Sequence, residues 1–143
     1  MAKKILVVIP SFVPNKWCFD LLNWLQRSDV SHVVLFDNGG SFPKAKIKDL
    51  RKVEVVNSGC NLNWLASNNL GATIALERGY DYVCFMNDDV FLSGSFFRGM
   101  LRTFEVADNP GIVVPKYDGG FCKAASDKKT KPADWRPQDK EIK

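Results

Sequence analysis

Apolar residues in this chain fall into short dense runs, separated by segments whose apolar positions recur every three or four residues. Residues 5–10 (ILVVIP) form a largely β-branched run stopped by proline, the pattern of a strand buried on both faces. Helical spacing follows, with Trp17, Leu21, Trp24 and Leu25 on one side and Asp20, Gln26 and Arg27 on the other. Residues 33–36 read as a second buried strand, closed by the turn signal Asp37-Asn38-Gly39-Gly40. A short amphipathic helix is expected over 44–52 on Ala45, Ile47 and Leu50, then a third strand over 53–56 and a polar loop over 57–61. From 64 to 78 the pattern is helical again, with Ala66, Leu70 and Ile74 one turn apart and Gly79 as the stop. Residues 82–86 (YVCFM) are a fourth buried strand that runs directly into Asn87-Asp88-Asp89. Ser93 is the expected N-cap of a further helix, lined on one face by Phe96, Phe97, Met100, Leu101 and Phe104, and 111–115 (GIVVP) reads as a last short strand.

Short alternation of strand and helix predicts an α/β fold: a doubly wound, mainly parallel sheet with helices on both faces. Right-handed crossovers leave few other topologies. The periodicity ends after Tyr117, so one domain is expected over 1–118, followed by a Lys-, Asp- and Pro-rich extended or disordered tail over 119–143. In doubly wound sheets ligands bind at the carboxyl ends of the strands. Those ends here carry Pro10-Ser11-Phe12, Asp37-Asn38, Asn57 and Asn87-Asp88-Asp89, so the polar residues collect where a site belongs.

Composition narrows the classes. At 143 residues, 45% hydrophobic and 25% charged, the chain suits one globular domain. Its net charge of +4 lies mostly after residue 115, which leaves the expected domain nearly neutral and argues against nucleic acid as a partner. Cys18, Cys60, Cys84 and Cys122 form no C-x-x-C pair and there is one histidine, His32, so no zinc constellation is present; Cys18 and Cys84 read as buried reduced thiols. The apolar stretch at 5–9 is too short for a signal h-region or a membrane span, and the chain reads as cytoplasmic. Neither G-x-G-x-x-G, a P-loop nor G-x-S-x-G occurs, which argues against dinucleotide binding, P-loop chemistry and Ser-His nucleophilic catalysis.

Among the strand-end residues, Asp88 and Asp89 are adjacent carboxylates whose mutual repulsion a divalent cation would relieve. Magnesium or manganese, held through one or two carboxylates plus substrate phosphates, suits such a pair. An Asx turn before the next helix is the alternative. Asp37 is placed either to accept from a base or ribose or to cap the Gly39-Gly40 turn, and Phe12 either to stack on a base or to pack in the core.

Taken together, VVIPSF at 7–12, VVLFDNGG at 33–40, NLNWLASNNLG at 61–71, ERGYDYVCFMNDDV at 77–90 and GIVVPKYD at 111–118 resemble the family 2 glycosyltransferases of the GT-A fold, in particular the rhamnosyltransferase-like branch. The resemblance implies a metal-dependent transfer, with inversion, of a sugar from a UDP- or dTDP-sugar to a glycan, protein or lipid acceptor. It implies that Pro10, Ser11, Phe12, Asp37 and Asn38 hold the base and ribose, and that Asn61, Asn68 and Asn69 form the asparagine-rich segment near the donor. Asn87-Asp88-Asp89 matches the D-x-D position, with Asp89 the Mn2+ or Mg2+ ligand and Asp88 both a candidate ligand and close to the ribose or sugar. Three departures stand out: Asn87 replaces the first aspartate, Asn63 and Ser67 stand where glycine, or glycine and arginine, are common, and no downstream carboxylate sits in a recognisable catalytic-base context. The alternative is a degenerate GT-A module with a binding or structural role, in which self-association into a homo-oligomer covers exposed core. A sugar nucleotidyltransferase would want a glycine-rich, arginine-bearing loop after the first strand, and 11–15 is not one.

Overall fold

The computed structural model describes residues 3–115, so the tail expected from 119 and Cys122 lie outside the described residues. The chain divides into two compact units between Leu92 and Ser93.

The first unit contains β1 (Ile5–Ser11), α1 (Lys16–Arg27), β2 (His32–Asp37), β3 (Val53–Val56), α2 (Asn63–Glu77) and β4 (Tyr82–Phe85). Its four strands form one parallel sheet in the order β3-β2-β1-β4. The α/β class and parallel sheet expected from the sequence are thus present. Residues Ile5 to Ile9 of β1 are buried, because this strand is paired on both sides and covered on both faces. Side chains alternate across the pleat. Leu6, Val8, Val34 and Phe36 cluster with Ala75 of α2 on one face, edged by Val56, Leu62, Ile74, Tyr80 and Val83. Ile5, Val7, Ile9, Val33 and Leu35 are buried on the other. Ser11, of the same parity, meets Cys18, which puts α1 on that second face with Cys18, Leu21, Leu22 and Leu25 buried. Each such aliphatic side chain contributes on the order of 1.5–3 kcal/mol by leaving water.

Local chemistry sets the helix ends. Asn15 caps α1, its Oδ1 accepting from Trp17 N at 2.8 Å and Cys18 N at 3.3 Å. Gly79 ends α2 at φ +66°, a left-handed residue that lets Tyr80 N return to Ala75 O at 3.0 Å. The face α2 buries differs from the apolar stripe read from the sequence. Ser67, Asn68, Gly71 and Ala75 are buried, whereas Ala66 and Leu70 are exposed. Small side chains explain this: a Cβ on Gly71 would lie 2.5 Å and 2.7 Å from the two Val8 methyl carbons, so the helix backbone rests directly on β1.

The helix expected over 44–52 is reduced to a single 3-10 turn, Lys44–Ile47. Leu50 N and Val53 N continue with bonds to Ile47 O and Leu50 O, and β3 begins before an α-helix has length to propagate.

In the second unit, α3 (Phe96–Val106) buries Phe97, whose ring meets Phe96 edge-on at 5.0 Å, and leaves Met100, Leu101 and Phe104 half-buried. Ser93 is not the N-cap: its carbonyl accepts from Phe96 N at 3.1 Å while its hydroxyl faces Ser95 Oγ at 3.5 Å. The strand expected over 111–115 is absent among the described residues. Ile112 and Val114 are exposed there, with no described strand to pair against. Among the described residues no helix is long and apolar enough to cross a membrane.

At the amino-terminal edge of the sheet, Arg78 holds Glu54 through two bonds, Nη1 to Oε2 at 2.7 Å and Nη2 to Oε1 at 3.3 Å, and His32 Nε2 lies 3.1 Å from Oε2. The Arg78 hydrogen bond, then that of His32, keeps the Glu54 carboxyl below its ordinary range despite partial burial.

Two outcomes follow from this packing. Alanine in an open helix gains about 1 kcal/mol over glycine, but Gly71→Ala is expected to lose about 1–3 kcal/mol by urea unfolding. The double variant with Val8→Ala should lose less than the sum of the singles. A group whose folded pKa is depressed adds stability above its unfolded value, and that stability is lost as pH falls through the folded pKa. Glu54→Gln therefore lowers the urea midpoint at pH 7, and the gap to wild type closes below pH 4.5. A gap that persists unchanged to pH 3 contradicts the assignment.

Candidate functional site

The strand order reverses at β1: β2 and β3 extend to one side of it and β4 pairs on the other. A crevice opens outside the carboxyl ends of strands at such a reversal, and ligands bind there in open α/β sheets. Ser11 ends β1 and Asp88 follows β4. Across the reversal the Ser11 hydroxyl donates to Asp88 Oδ2 at 2.6 Å, a short, charge-assisted bond. Ser11 is buried, so its hydroxyl is spent on orienting this carboxylate. Beneath the pair, burial first and Asp88 second push the Cys18 thiol up to about 12, with Ser11 pulling the other way; Cys18 stays a neutral thiol. Cys84 is raised to about 11 by burial alone.

Asn38 organises the next part of the rim. Its Nδ2 donates to Ser67 Oγ at 3.1 Å and Asn63 O at 3.3 Å, and its Oδ1 accepts from Leu62 N at 3.3 Å. It therefore fastens the end of β2 to the start of α2, and its amide is taken up by that task. Asn63 stands at φ +56°, a region asparagine tolerates better than most residues, and its Oδ1 accepts from Leu65 N at 3.0 Å and Ala66 N at 3.2 Å. Asparagine supplies there both the backbone freedom of a glycine and a helix cap. Asn61 Oδ1 accepts from Asn63 N at 2.8 Å and shapes the same turn.

Of the two roles its sequence context allowed, Asp37 fills the turn-closing one. One carboxylate oxygen, Oδ2, accepts from Phe42 N at 3.0 Å and closes the turn after β2, while Oδ1 is buried with no partner. Asn68 is likewise buried, and both its Oδ1 and Nδ2 are unpartnered. A buried polar group left unpaired costs about 1–3 kcal/mol, and these three atoms carry that cost within the protein.

Of the other expected residues, Pro10 is half-buried within β1, and Phe12 is 58% exposed, which excludes the core reading of that ring. Asn69 is exposed, a hundred degrees round the helix from Asn68, and is not brought in with the rest. Asn87 and Asp89 are exposed and Asp88 is half-buried. Among the described residues Asp89 makes no hydrogen bond or ion pair, and no three His, Cys, Asp or Glu side chains gather into a metal cage. Two consecutive carboxylates fit a cation that takes the rest of its shell from phosphate and water.

Two contributors escaped the sequence reading. Ser67 holds Asn38, and Trp64, 55% exposed, donates its indole Nε1–H to Asn87 Oδ1 at 3.1 Å. The three- and four-residue spacing of Trp64, Asn68, Gly71 and Ala75 around one helix face was the signal available for Trp64; Ser67 stood out only as a departure from the family pattern, since serine on a helix reads as solvated.

Asn68→Leu replaces an unpaired buried amide by an apolar group of similar volume. It is expected to raise the urea midpoint of the ligand-free protein, by about 1–3 kcal/mol in unfolding free energy. A drop in the midpoint would instead make Asn68 a structural residue.

No family model matches this chain, and no solved structure matches it. Curated relatives are uncharacterised proteins of Mycobacterium bovis and of two strains of Mycobacterium tuberculosis, each 27% identical over 134 residues, covering 94% of this chain and 49% of the relative. The chain spans about half the length of the curated relatives it matches.

Proposed function

We propose that this chain is the nucleotide-sugar-binding part of a GT-A-type family 2 glycosyltransferase, which holds a nucleoside diphosphate sugar at the strand-order reversal for transfer to a glycan, protein or lipid acceptor. The observation that carries the reading is the set of unspent buried polar atoms, Asp37 Oδ1 and both amide atoms of Asn68, at the sheet edge that also bears Asp88 and Asp89. An unpaired carboxylate oxygen suits an N–H of a base or a ribose hydroxyl, and an unpaired carboxamide suits a group that both donates and accepts.

In this reading Asp89 binds magnesium or manganese, and Asp88, oriented by the Ser11 hydroxyl, lies beside the ribose or sugar. Held by Asp89, such an ion would supply positive charge to a departing diphosphate. Phe12, exposed after β1, offers a ring face to the base. Ser11 and Asn38 support the site from behind, since their polar atoms are engaged within the protein. Inversion also requires a general base for the acceptor hydroxyl. Asp88 and Asp89 are committed to the donor, so that base is a different group.

Calorimetric titration with UDP, dTDP and GDP, each with manganese and with chelator, tests the proposal. One nucleotide is expected to bind in a manganese-dependent manner, and Asp89→Ala to weaken it by about tenfold or more, the loss of one charge-assisted contact. Unchanged affinity in Asp89→Ala refutes the metal assignment. No binding by any of the three would favour a module that has kept the fold without the transfer.

A further inference from the structure

Cations collect on one part of the first unit. Between Asp37 and Val53 the chain carries Lys44, Lys46, Lys48, Arg51 and Lys52 against a single acid, Asp49. Lys52 is spent on the fold, its Nζ donating to Ser28 O at 2.7 Å. The other four are exposed and form no ion pair among the described residues. Ile47 is the side chain that the 3-10 turn buries, and Lys44, Lys46 and Lys48 stand in water around it. A 3-10 turn rises about 2 Å per residue, so these lysines lie within about one Debye length of each other at physiological salt and repel.

The patch continues toward the loop after β1. Lys46 holds its ammonium 4.8 Å from the centre of the Phe19 ring, and it lines one open hollow with Pro14, Asn15, Lys16 and Asp20. Lys16 and Asp20 pair there, so Asp20 is already neutralised. The two loops touch: a Cβ on Gly39 would lie 1.9 Å from Phe12 O, so the turn after β2 rests on the backbone at the end of β1. Next to Pro14 stands Val13, 69% exposed, an aliphatic side chain that the core does not take up.

Clustered cations beside an exposed aliphatic side chain narrow the kind of anion that fits. Three of the four are lysines, strongly hydrated point charges that suit a layer of headgroups better than the planar, bidentate capture of one phosphate or carboxylate. An acidic peptide engages through bidentate arginines, and the patch has one. A nucleic acid strand would meet the charge but gives Val13 no apolar phase to enter. It would also find no ring to stack on, because Phe42 is buried and Phe19 is faced by Lys46. A bilayer surface with anionic headgroups supplies both the charge and the apolar phase.

We propose that Lys44, Lys46, Lys48 and Arg51, with Val13 as the apolar contact, dock the chain on a membrane surface rich in anionic lipid. The attachment lies on the surface, requires no spanning helix, and does not rest on the donor reading above.

Sedimentation of the full chain with vesicles of phosphatidylcholine, and of equimolar phosphatidylcholine and phosphatidylserine, tests the proposal. Binding is expected to the second and not to the first. It should be lost when salt rises from about 0.1 M to about 1 M, where the screening length falls from about 10 Å to about 3 Å. A triple variant, Lys44→Gln, Lys46→Gln and Lys48→Gln, should bind about a hundredfold more weakly, near fivefold per lysine. The sequence after residue 115 is also basic, so Lys128→Gln, Lys129→Gln and Lys131→Gln together form the charge-matched control, expected to stay within about threefold. Val13→Ser should weaken binding severalfold without changing its salt dependence, because apolar burial is not screened. The altered positions in the first unit are exposed, so melting temperatures should not change and loss of docking is read apart from loss of fold. Equal loss in the two lysine variants would assign binding to net charge and overturn the proposal, as would failure to bind the phosphatidylserine vesicles. Binding to single-stranded DNA or polyglutamate as tight as to the vesicles, and insensitive to Val13→Ser, would overturn it in favour of a nucleic acid or an acidic protein.

Discussion

Complete burial of β1 is the constraint from which the rest of the first unit follows. A strand with apolar residues at every position from Ile5 to Ile9 has no face that water tolerates, so it needs a helix above, a helix below and a strand on each side. β2 occupies one side, reached by the short connection through α1. The other side can be filled only by a later strand, and β4 takes it. That choice reverses the strand order at β1, and it is across this reversal that Ser11 meets Asp88. The location of the polar cluster is thus a consequence of hydrophobic burial several residues below it.

The same burial dictates how near α2 comes. Gly71 removes the last side chain between helix and strand, and a close helix brings Ser67 within reach of Asn38 and Trp64 within reach of Asn87. A bulkier residue at 71 would lift the helix and loosen both clamps. The start of α2 is therefore held by polar bonds at the rim and by contact of its backbone with β1 further down. Neither the left-handed Asn63 nor its cap on Leu65 and Ala66 would persist without those anchors, since a lone turn in that conformation carries a strain cost.

All four strands of the sheet were legible in the sequence because β-branched runs leave little alternative, and their ends predicted correctly which polar residues would share an edge. The buried face of α2 was not, since periodicity counts large apolar side chains and this face is made of Ser67, Gly71 and Ala75. Asp37 was readable as a turn residue or a ligand acceptor, but only coordinates separate its two oxygens, one paired and one not. For Ser11 the family resemblance implied a place at the base and ribose. Its burial and its bond to Asp88 could not be seen without knowing that β4 lies next to β1. The run at 111–115 has strand composition, yet composition cannot supply the neighbouring strand that pairing requires.

Buried polar atoms at the sheet edge then divide into two kinds, and the division argues for function more strongly than the residue types do. Asn38, Ser11 and Ser67 have their hydrogen bonds filled within the protein, as a folded chain with only a few kcal/mol of net stability requires. Asp37 Oδ1 and the Asn68 amide do not, although both residues are as deeply buried. A purely structural sheet edge gains nothing from such atoms, because leucine at 68 would fill the same volume without a desolvation cost. Under the proposed function, a bound nucleoside diphosphate sugar supplies the missing partners, which is why these atoms carry more of the argument than the residue types do.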